Sequence, residues 1–596
     1  MATFPKLLKL RSGAHDRTLF NLSSRTITTV DFFQFAPVKC IECVPGDKFK
    51  INMSVFARTA PLAVPPFDRA VIQSRAFFIP HRLSHPYFNE FITGEKVSVG
   101  STAYTPGIPI LPSQLIVEFF ATKSVSVGGT SYALSVQVQS TDEWDFTFQP
   151  TSGNLQYRNL SDYGRSILKI FEGLGYKWNW VSPAQSAWSD LNVQFSALPL
   201  MAFMRVFLDW FVPSQLQAAH PIHQIFNSWK AGPATFYFDA DLLQSLFQSV
   251  CVAYDEDYFT SAWLYPNNVG GDSNRIAPPS IQDFGNGVQN TISIISSNDK
   301  SVNFKQGHSS NFTEFGLRLL EGMANYVTRN NFAGSRAVEQ ILARFGIRVP
   351  DTRLNRSEFL GKDDADIQFL EVTSMADSGN YDVGQFAGKG VAYSKNGLFE
   401  YNCKEYGYIL IVSTIVPKIS YVQGFDRHVI HKDRFDFFTP EFDCVGPQAI
   451  SSGELYCDTR DKQDCNFQDV HANNGDPDAV FGYCPRYTEY KVNKDLLCGD
   501  FNVPHLNDGG ALNAFHFARY FYPSQDTPSQ AQGPFLFAHG RQYNRIFNVQ
   551  GSADHFYMWY DFEISAWRPM RSISDSIPLE GDGERVDLQP NGIHMS

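Results

Sequence analysis

The stretch Phe49-Lys50-Ile51-Asn52-Met53-Ser54-Val55-Phe56-Ala57 decides how this chain is read. Phe49, Ile51, Met53, Val55 and Ala57 recur at every second position, with Lys50, Asn52 and Ser54 between them. Successive side chains of a strand point to opposite faces, so the alternation describes a half-buried strand with one dry side. Pro45-Gly46-Asp47 supplies the turn before it, and Pro61, Pro65 and Pro66 punctuate the chain after it.

The same pattern returns at the other end of the chain. Phe556, Met558, Tyr560, Phe562, Ile564 and Ala566 alternate with Asp561, Glu563 and Ser565. Two further strands are expected at Ala70 to Ile79, ending at Pro80, and at Gly407 to Val416. The second is continuously apolar, which fits burial on both faces. Core strands therefore come from both ends, and the expected architecture is a β barrel or sandwich with the middle of the sequence looped out.

That middle carries helical spacing. Leu200, Phe203, Met204, Phe207, Leu208 and Phe211 form one stripe, with Arg205 and Asp209 off it. A second helix is expected over Glu314 to Thr328, and a third from Ser335 through Val338, Ile341, Leu342 and Phe345 to a stop at Gly346. Between them lie polar stretches at about 93–153, 267–311 and 451–478. Loops this long are usually functional and run over surfaces, so these are read as external decorations or contacts between subunits.

At 596 residues the chain exceeds the size of one ordinary core, so it holds several domains or one with long insertions. Charged residues are only 18 % and aromatics 15 %. Interface cores are depleted in charge and rich in aromatics, which suits a protein that buries surface against its own copies. A plain β protein would share the aromatics. The net charge of −12 prevents the whole chain from neutralising a polyanion, so nucleic-acid contact must be local or delegated to a basic partner.

No apolar run of membrane-spanning length exists; the segment Ala197 to Val212 is broken by Arg205 and Asp209. Met1 to Phe20 lacks a signal peptide's apolar core and carries Lys6, Lys9, Arg11 and Arg17 against Asp16, so it reads as a basic arm. The nine scattered cysteines suit a reducing cytoplasm. Cys40 and Cys43 sit in a strand-like context where residues three apart face opposite ways, so they read as small buried hydrophobes.

Catalytic constellations are weak. Asp363, Asp364 and Asp366, and Asp433, Asp436 and Glu441, read as turn acids or ion-pair partners. The loop Asn473 to Asp478 lacks the spacing and closing Glu of an EF-hand. His220 and His223 are separated by a proline, and neither that pair nor His428 with His431 has the Glu of H-E-x-x-H. No P-loop, G-x-S-x-G or G-x-G-x-x-G opening a helix occurs. No enzyme activity, cofactor or metal is expected.

Several blocks carry a resemblance. Phe35-Ala-Pro-Val-Lys-Cys-Ile-Glu-Cys-Val-Pro-Gly-Asp47, Arg58-Thr-Ala-Pro-Leu-Ala-Val-Pro65 and Asp257-Tyr-Phe-Thr-Ser-Ala-Trp263 lie in the first half. Phe345-Gly-Ile-Arg-Val-Pro-Asp-Thr-Arg-Leu354 with Arg356, Glu358, Phe359 and Leu360 comes next. Tyr421-Val-Gln-Gly-Phe-Asp-Arg427 with Arg434 to Pro440, then Phe481 to Tyr490, complete the set. In this order they resemble the major capsid proteins of microviruses, small single-stranded-DNA bacteriophages, especially the gokushovirus-like branch. Ser357 stands where that pattern has Pro, and the three polar stretches match nothing in it.

The resemblance implies a mainly β fold, an eight-stranded antiparallel jelly roll of the viral capsid type with large loop and helical insertions. It implies assembly in the host bacterial cytoplasm, through pentamers, into an icosahedral shell around circular single-stranded DNA. It also implies a small basic DNA-packaging protein, a minor pilot protein and a host surface receptor as partners. In gokushovirus relatives one insertion forms a threefold protrusion, and by position 267–311 is the expected counterpart. The expected organisation is a basic arm over 1–34 and a single jelly-roll domain over 35–596. DNA contact is sequence-independent in such a shell, needing cations for phosphates and rings for bases. Lys6, Lys9, Arg11 and Arg17 of the arm, and Trp567, Arg568 and Arg571 near the end, have those side chains. The competing reading is a carbohydrate- or receptor-binding β-sandwich protein of a phage, which would share the aromatics and polar loops.

Overall fold

The computed structural model describes residues 17–135, 160–177, 193–263, 337–373, 386–455, 480–502, 511–521, 533–548 and 554–570, apart from short breaks and a few isolated positions. Lys6, Lys9, Arg11, Arg571, Asp433, the stretch 267–311, most of 451–478 and nearly all of the helix expected over 314–328 lie outside the described residues.

Nine strands build the core. They are β1 (Thr18–Asn21), β2 (Ser24–Val30), β3 (Ala36–Cys43), β4 (Lys48–Thr59), β5 (Ala70–Pro80), β6 (Glu358–Thr373), β7 (Phe386–Asn402), β8 (Gly407–Pro417) and β9 (Phe556–Arg568). Their pairing has a simple rule. One layer runs β2-β9-β4-β7 and the other β3-β8-β5-β6, all antiparallel. First pairs with last throughout: β2 with β9, β3 with β8, β4 with β7, β5 with β6. The chain is thus one long antiparallel hairpin, its tip between β5 and β6, rolled into two layers, which is the eight-stranded jelly roll. The short β1 extends the β2 edge along the end of β9.

The layers are joined by β6. Its residues Glu358–Ile367 pair with β5, and Gln368–Thr373 pair with β7. Alternation explains the burial. Phe49, Ile51, Met53, Val55 and Ala57 of β4, and Phe556 to Ala566 at even positions of β9, fill the space between layers. Tyr560 on β9 donates to Ser413 Oγ on β8 at 2.7 Å, and Ser413 Oγ lies 3.2 Å from Ser74 Oγ on β5. This is a polar stitch across a dry core. Tyr560→Phe should cost about 1 kcal/mol, read as a lower urea midpoint with an unchanged slope.

The middle of β8 is buried on both faces because helices cover its outer side. Helix α1 (Asp162–Leu174) packs on β3, and α2 (Leu198–Val206) packs on β5 and β8. Ser161 caps α1 by accepting from the Gly164 amide at 3.1 Å. A Cβ on Gly173 would meet the Pro37 carbonyl oxygen at 1.9 Å, so only glycine lets α1 lie this close to β3. The stripe read over Leu200 to Phe211 is α2 followed by a π turn at Phe207–Phe211. The third expected helix is α3 (Ala337–Phe345), stopped by Gly346 at φ 67°.

Residues 81–357 form an insertion between β5 and β6, and 418–555 a second between β8 and β9. The barrel therefore draws on three stretches of chain, not only its two ends. The acids Asp363, Asp364 and Asp366 are not in a turn. They lie on β6, where Asp363 points inward and accepts from Ser394 Oγ at 2.9 Å, while Asp364 points outward to Arg75. Within the stretch read as an arm, Thr18–Asn21 and Ser24–Val30 are barrel strands. Within the polar stretch read as an external loop over 93–153, Ser113–Thr122 is a helix that buries Ile116, Phe119 and Phe120 in the core.

Candidate nucleic-acid face and assembly surfaces

Pairing of β1 with β9 places Leu19 opposite Trp567 and Thr18 opposite Arg568, so Arg17, Trp567 and Arg568 converge at one end of the barrel. Strand alternation then separates them. Trp567 faces outward, with Lys48 Nζ 5.7 Å from its ring centroid. Arg568 faces the barrel mouth, where its Nη2 lies 3.2 Å from Asp47 Oδ2 and also donates to the Glu42 carbonyl. Its guanidinium stands 5.5 Å from the Phe49 ring.

Asp47 is buried, and burial pushes its carboxyl above the usual range. The Val44 amide, then Arg568 and Arg17, pull the other way. Arg568 therefore braces the β3–β4 turn, in which Gly46 adopts φ 98°. Of the residues read together near the end of the chain, Trp567 is a surface ring with a cation on it and Arg568 a structural clasp, while Arg571 lies outside the described residues.

The outward face of the β2-β9-β4-β7 layer holds a feature the sequence reading missed. Register aligns Ile27, Trp559, Phe56 and Tyr393 in one row across four strands. The adjacent row is Thr29, Tyr557, Arg58 and Val391. Ile27 is 71 % exposed, Tyr393 64 % and Tyr557 49 %. Arg58 holds its guanidinium 5.1 Å from the Phe56 ring centroid. The signal was present locally, since Phe56, Tyr557 and Trp559 occupy the wet positions of alternating strands. Only the register shows that they meet.

Other apolar groups are exposed in the insertions. Phe345 is 70 % exposed at the end of α3, with Ile347 just beyond it, and Phe437, Phe438, Tyr490 and Leu496 are exposed in the second insertion. Patches of this kind mark interaction surfaces. Cys40 and Cys43 behave as packing groups: burial pushes the Cys40 thiol up to about 12 and Cys43 further up. His220 is buried against Phe207, and its Nδ1 accepts from the Ile222 amide at 3.3 Å, whereas His223 approaches Asn227. Among the described residues no group of three or more His, Cys, Asp or Glu is placed to hold a metal, and no helix is long and apolar enough to cross a membrane.

An eight-stranded jelly roll with long insertions is an architecture that viral coat proteins share with lectins and cupins. The chain belongs to the capsid protein (F protein) family of phages, whose family model matches residues 9–128 and 189–578. It is 25 % identical over 546 residues to capsid protein VP1 of Bdellovibrio phage phiMH2K, covering 85 % of each chain. Capsid protein VP1 of Chlamydia phage 1 is 22 % identical, with 85 % of this chain and 87 % of the relative covered. For capsid protein VP1 of Spiroplasma virus 4 the identity is 21 %, covering 87 % and 89 %. These are microvirus coat proteins, so the resemblance read from the ordered blocks is correct. The protein is a structural capsid component.

Proposed function

We propose that copies of this chain assemble, through pentamers, into an icosahedral shell enclosing a circular single-stranded DNA genome. The carrying observation is that the family match runs through the barrel and into both insertions, so the parts outside the barrel belong to the coat design. The exposed apolar groups on α3 and in the second insertion fit contacts between subunits. Polar stretches at 267–311 and 451–478 suit protrusions and host attachment, in a single jelly-roll domain whose strands begin at β1.

Genome contact falls to local cations and to a small basic packaging partner, because the chain's own charge is −12. The arm residues Lys6, Lys9, Arg11 and Arg17 suit phosphates, and Trp567 suits a base. A minor pilot protein completes the particle, which forms in the host bacterial cytoplasm. Electron microscopy and sedimentation of the purified full-length chain test this reading. Closed particles or their pentamers are expected; a small, stable oligomer that binds sugars and never closes would overturn it in favour of a receptor-binding sandwich.

A further inference from the structure

We infer that the outward face of the β2-β9-β4-β7 layer binds single-stranded DNA by stacking bases on Trp559, Phe56, Tyr393 and Tyr557, with Arg58 taking a phosphate. The inference rests on the coat reading above and gives the genome a platform distinct from the arm.

Geometry supports it first. Strands in a sheet lie about 4.8 Å apart and alternate outward residues about 7 Å apart, so the rings stand in a grid on the scale of neighbouring bases. A four-stranded sheet presenting aromatic rings to solvent is a known solution for holding single strands, because every base has a face that can stack. Ile27 and Val391 complete the two rows with apolar side chains.

Charge supports it next. Among these eight positions Arg58 is the only charged side chain, and it is a cation seated 5.1 Å from the Phe56 ring. Below them Arg25 faces Asp561 across the strand pair, Lys395 lies 4.0 Å from Glu563, and Lys50 lies 3.2 Å from Glu400. From the row of Arg58 down to that of Trp567, five basic side chains (Arg25, Lys48, Lys50, Arg58, Lys395) stand with three acids (Asp561, Glu563, Glu400), while Asp554 accepts from Thr29 at the upper edge. A locally positive face on a chain of net charge −12 favours a polyanion.

Size argues against a second copy as the occupant. The two ring-bearing rows span four strands, roughly 300 Å² from the sheet spacings. A stable protein interface needs about 800 Å² per partner. The polar rows beneath do not extend the apolar area.

The test uses the full-length chain, dissociated to subunits, and a fluorescently labelled poly-dT oligonucleotide followed by anisotropy. Tyr393→Ala and Trp559→Ala should each weaken binding about tenfold with little change in its salt dependence, since a ring stacks without neutralising phosphate. Arg58→Ala should instead flatten the salt dependence by about one counterion. Tyr393→Phe should keep wild-type affinity, and Phe438→Ala, an exposed ring in the second insertion, should leave it unchanged. Tyr393 is exposed, so its loss leaves folding intact, and an unshifted melting curve confirms that. Oligonucleotide affinity indifferent to Tyr393→Ala, Trp559→Ala and Arg58→Ala, in a chain that still forms shells, would overturn this inference and leave the coat reading standing. Failure of the wild-type chain to form shells would strike the coat reading itself.

Discussion

Asp209→Ala should lower the unfolding free energy by about 3–5 kcal/mol, the cost of removing one partner from a buried charge network. Asp209 sits in the π turn that succeeds α2, with a buried carboxylate. Its Oδ2 accepts from Arg205 Nε at 3.0 Å, from the Ser357 amide at 2.9 Å and from Ser357 Oγ at 3.0 Å. Its own carbonyl accepts from Arg356 Nη2 at 2.9 Å. Next to it, Trp210 Nε1 donates to Ser357 Oγ at 3.0 Å, and Arg356 stacks 3.6 Å from the Trp210 ring centroid. One carboxylate thus fastens the returning end of the first insertion just before β6 begins. Alanine would leave the Arg205 cation and the Ser357 amide without this acceptor in a dry place.

Urea unfolding of the purified chain measures the loss. Asp209→Asn, which keeps the shape and one acceptor oxygen, should lose less. The same geometry explains Ser357, which stands where the family pattern has proline. A proline has no N–H for Asp209 and no hydroxyl for Asp209 or Trp210. Ser357→Pro should therefore destabilise this chain although it restores the family residue. Unchanged urea midpoints for both Asp209→Ala and Ser357→Pro would remove Asp209 from its fastening role.

What the sequence made legible was local. The strands at Phe49 to Ala57, Ala70 to Ile79, Gly407 to Val416 and Phe556 to Ala566 all fall inside β4, β5, β8 and β9. Alternation within one strand is a property of neighbouring residues, so it survives without knowledge of the fold. The strands β6 and β7 were not legible. On β6 the inward position 363 is an Asp held by Ser394 and Asn396, which disguises a buried face as a polar turn. On β7 the register slips between Gly397 and Phe399, which breaks the period. The candidate site obeyed the same division. Trp567 and Arg568 are neighbours in sequence but point to opposite faces. Ile27, Phe56, Tyr393 and Trp559 are far apart in sequence and meet only through pairing.

Acid should loosen the insertions well before it reaches the barrel, through buried histidines. Burial pushes His81, His220 and His516 each down to about 4. His85 is lowered by the same cause. In the unfolded chain these rings titrate near 6.5, so below that pH the unfolded state takes up protons that the folded state refuses. Their contribution is complete above 6.5 and is lost as pH falls toward 4, up to about 3 kcal/mol for each of the three. Asp68, Asp255 and Asp351, raised by burial, act in the opposite sense, but nearer the carboxylate range.

The geometry shows what protonation breaks. His81 is wedged between the Phe88 and Tyr408 rings, 4.8 and 4.7 Å from their centroids, where β5 hands over to the first insertion. His516 lies in the second insertion, with Nε2 3.0 Å from the Phe501 carbonyl oxygen and Nδ1 accepting from the Ala518 amide at 3.2 Å. A second ring proton would have to point at that amide hydrogen. Barrel strands carry no such histidine among the described residues. Hydrogen exchange at pH 7 and pH 5, corrected for intrinsic rates, should therefore show protection falling around His81, His220 and His516 while β4 and β9 stay protected. Uniform loss across the barrel and the insertions would mean that charge repulsion between whole subunits, not these rings, governs acid lability.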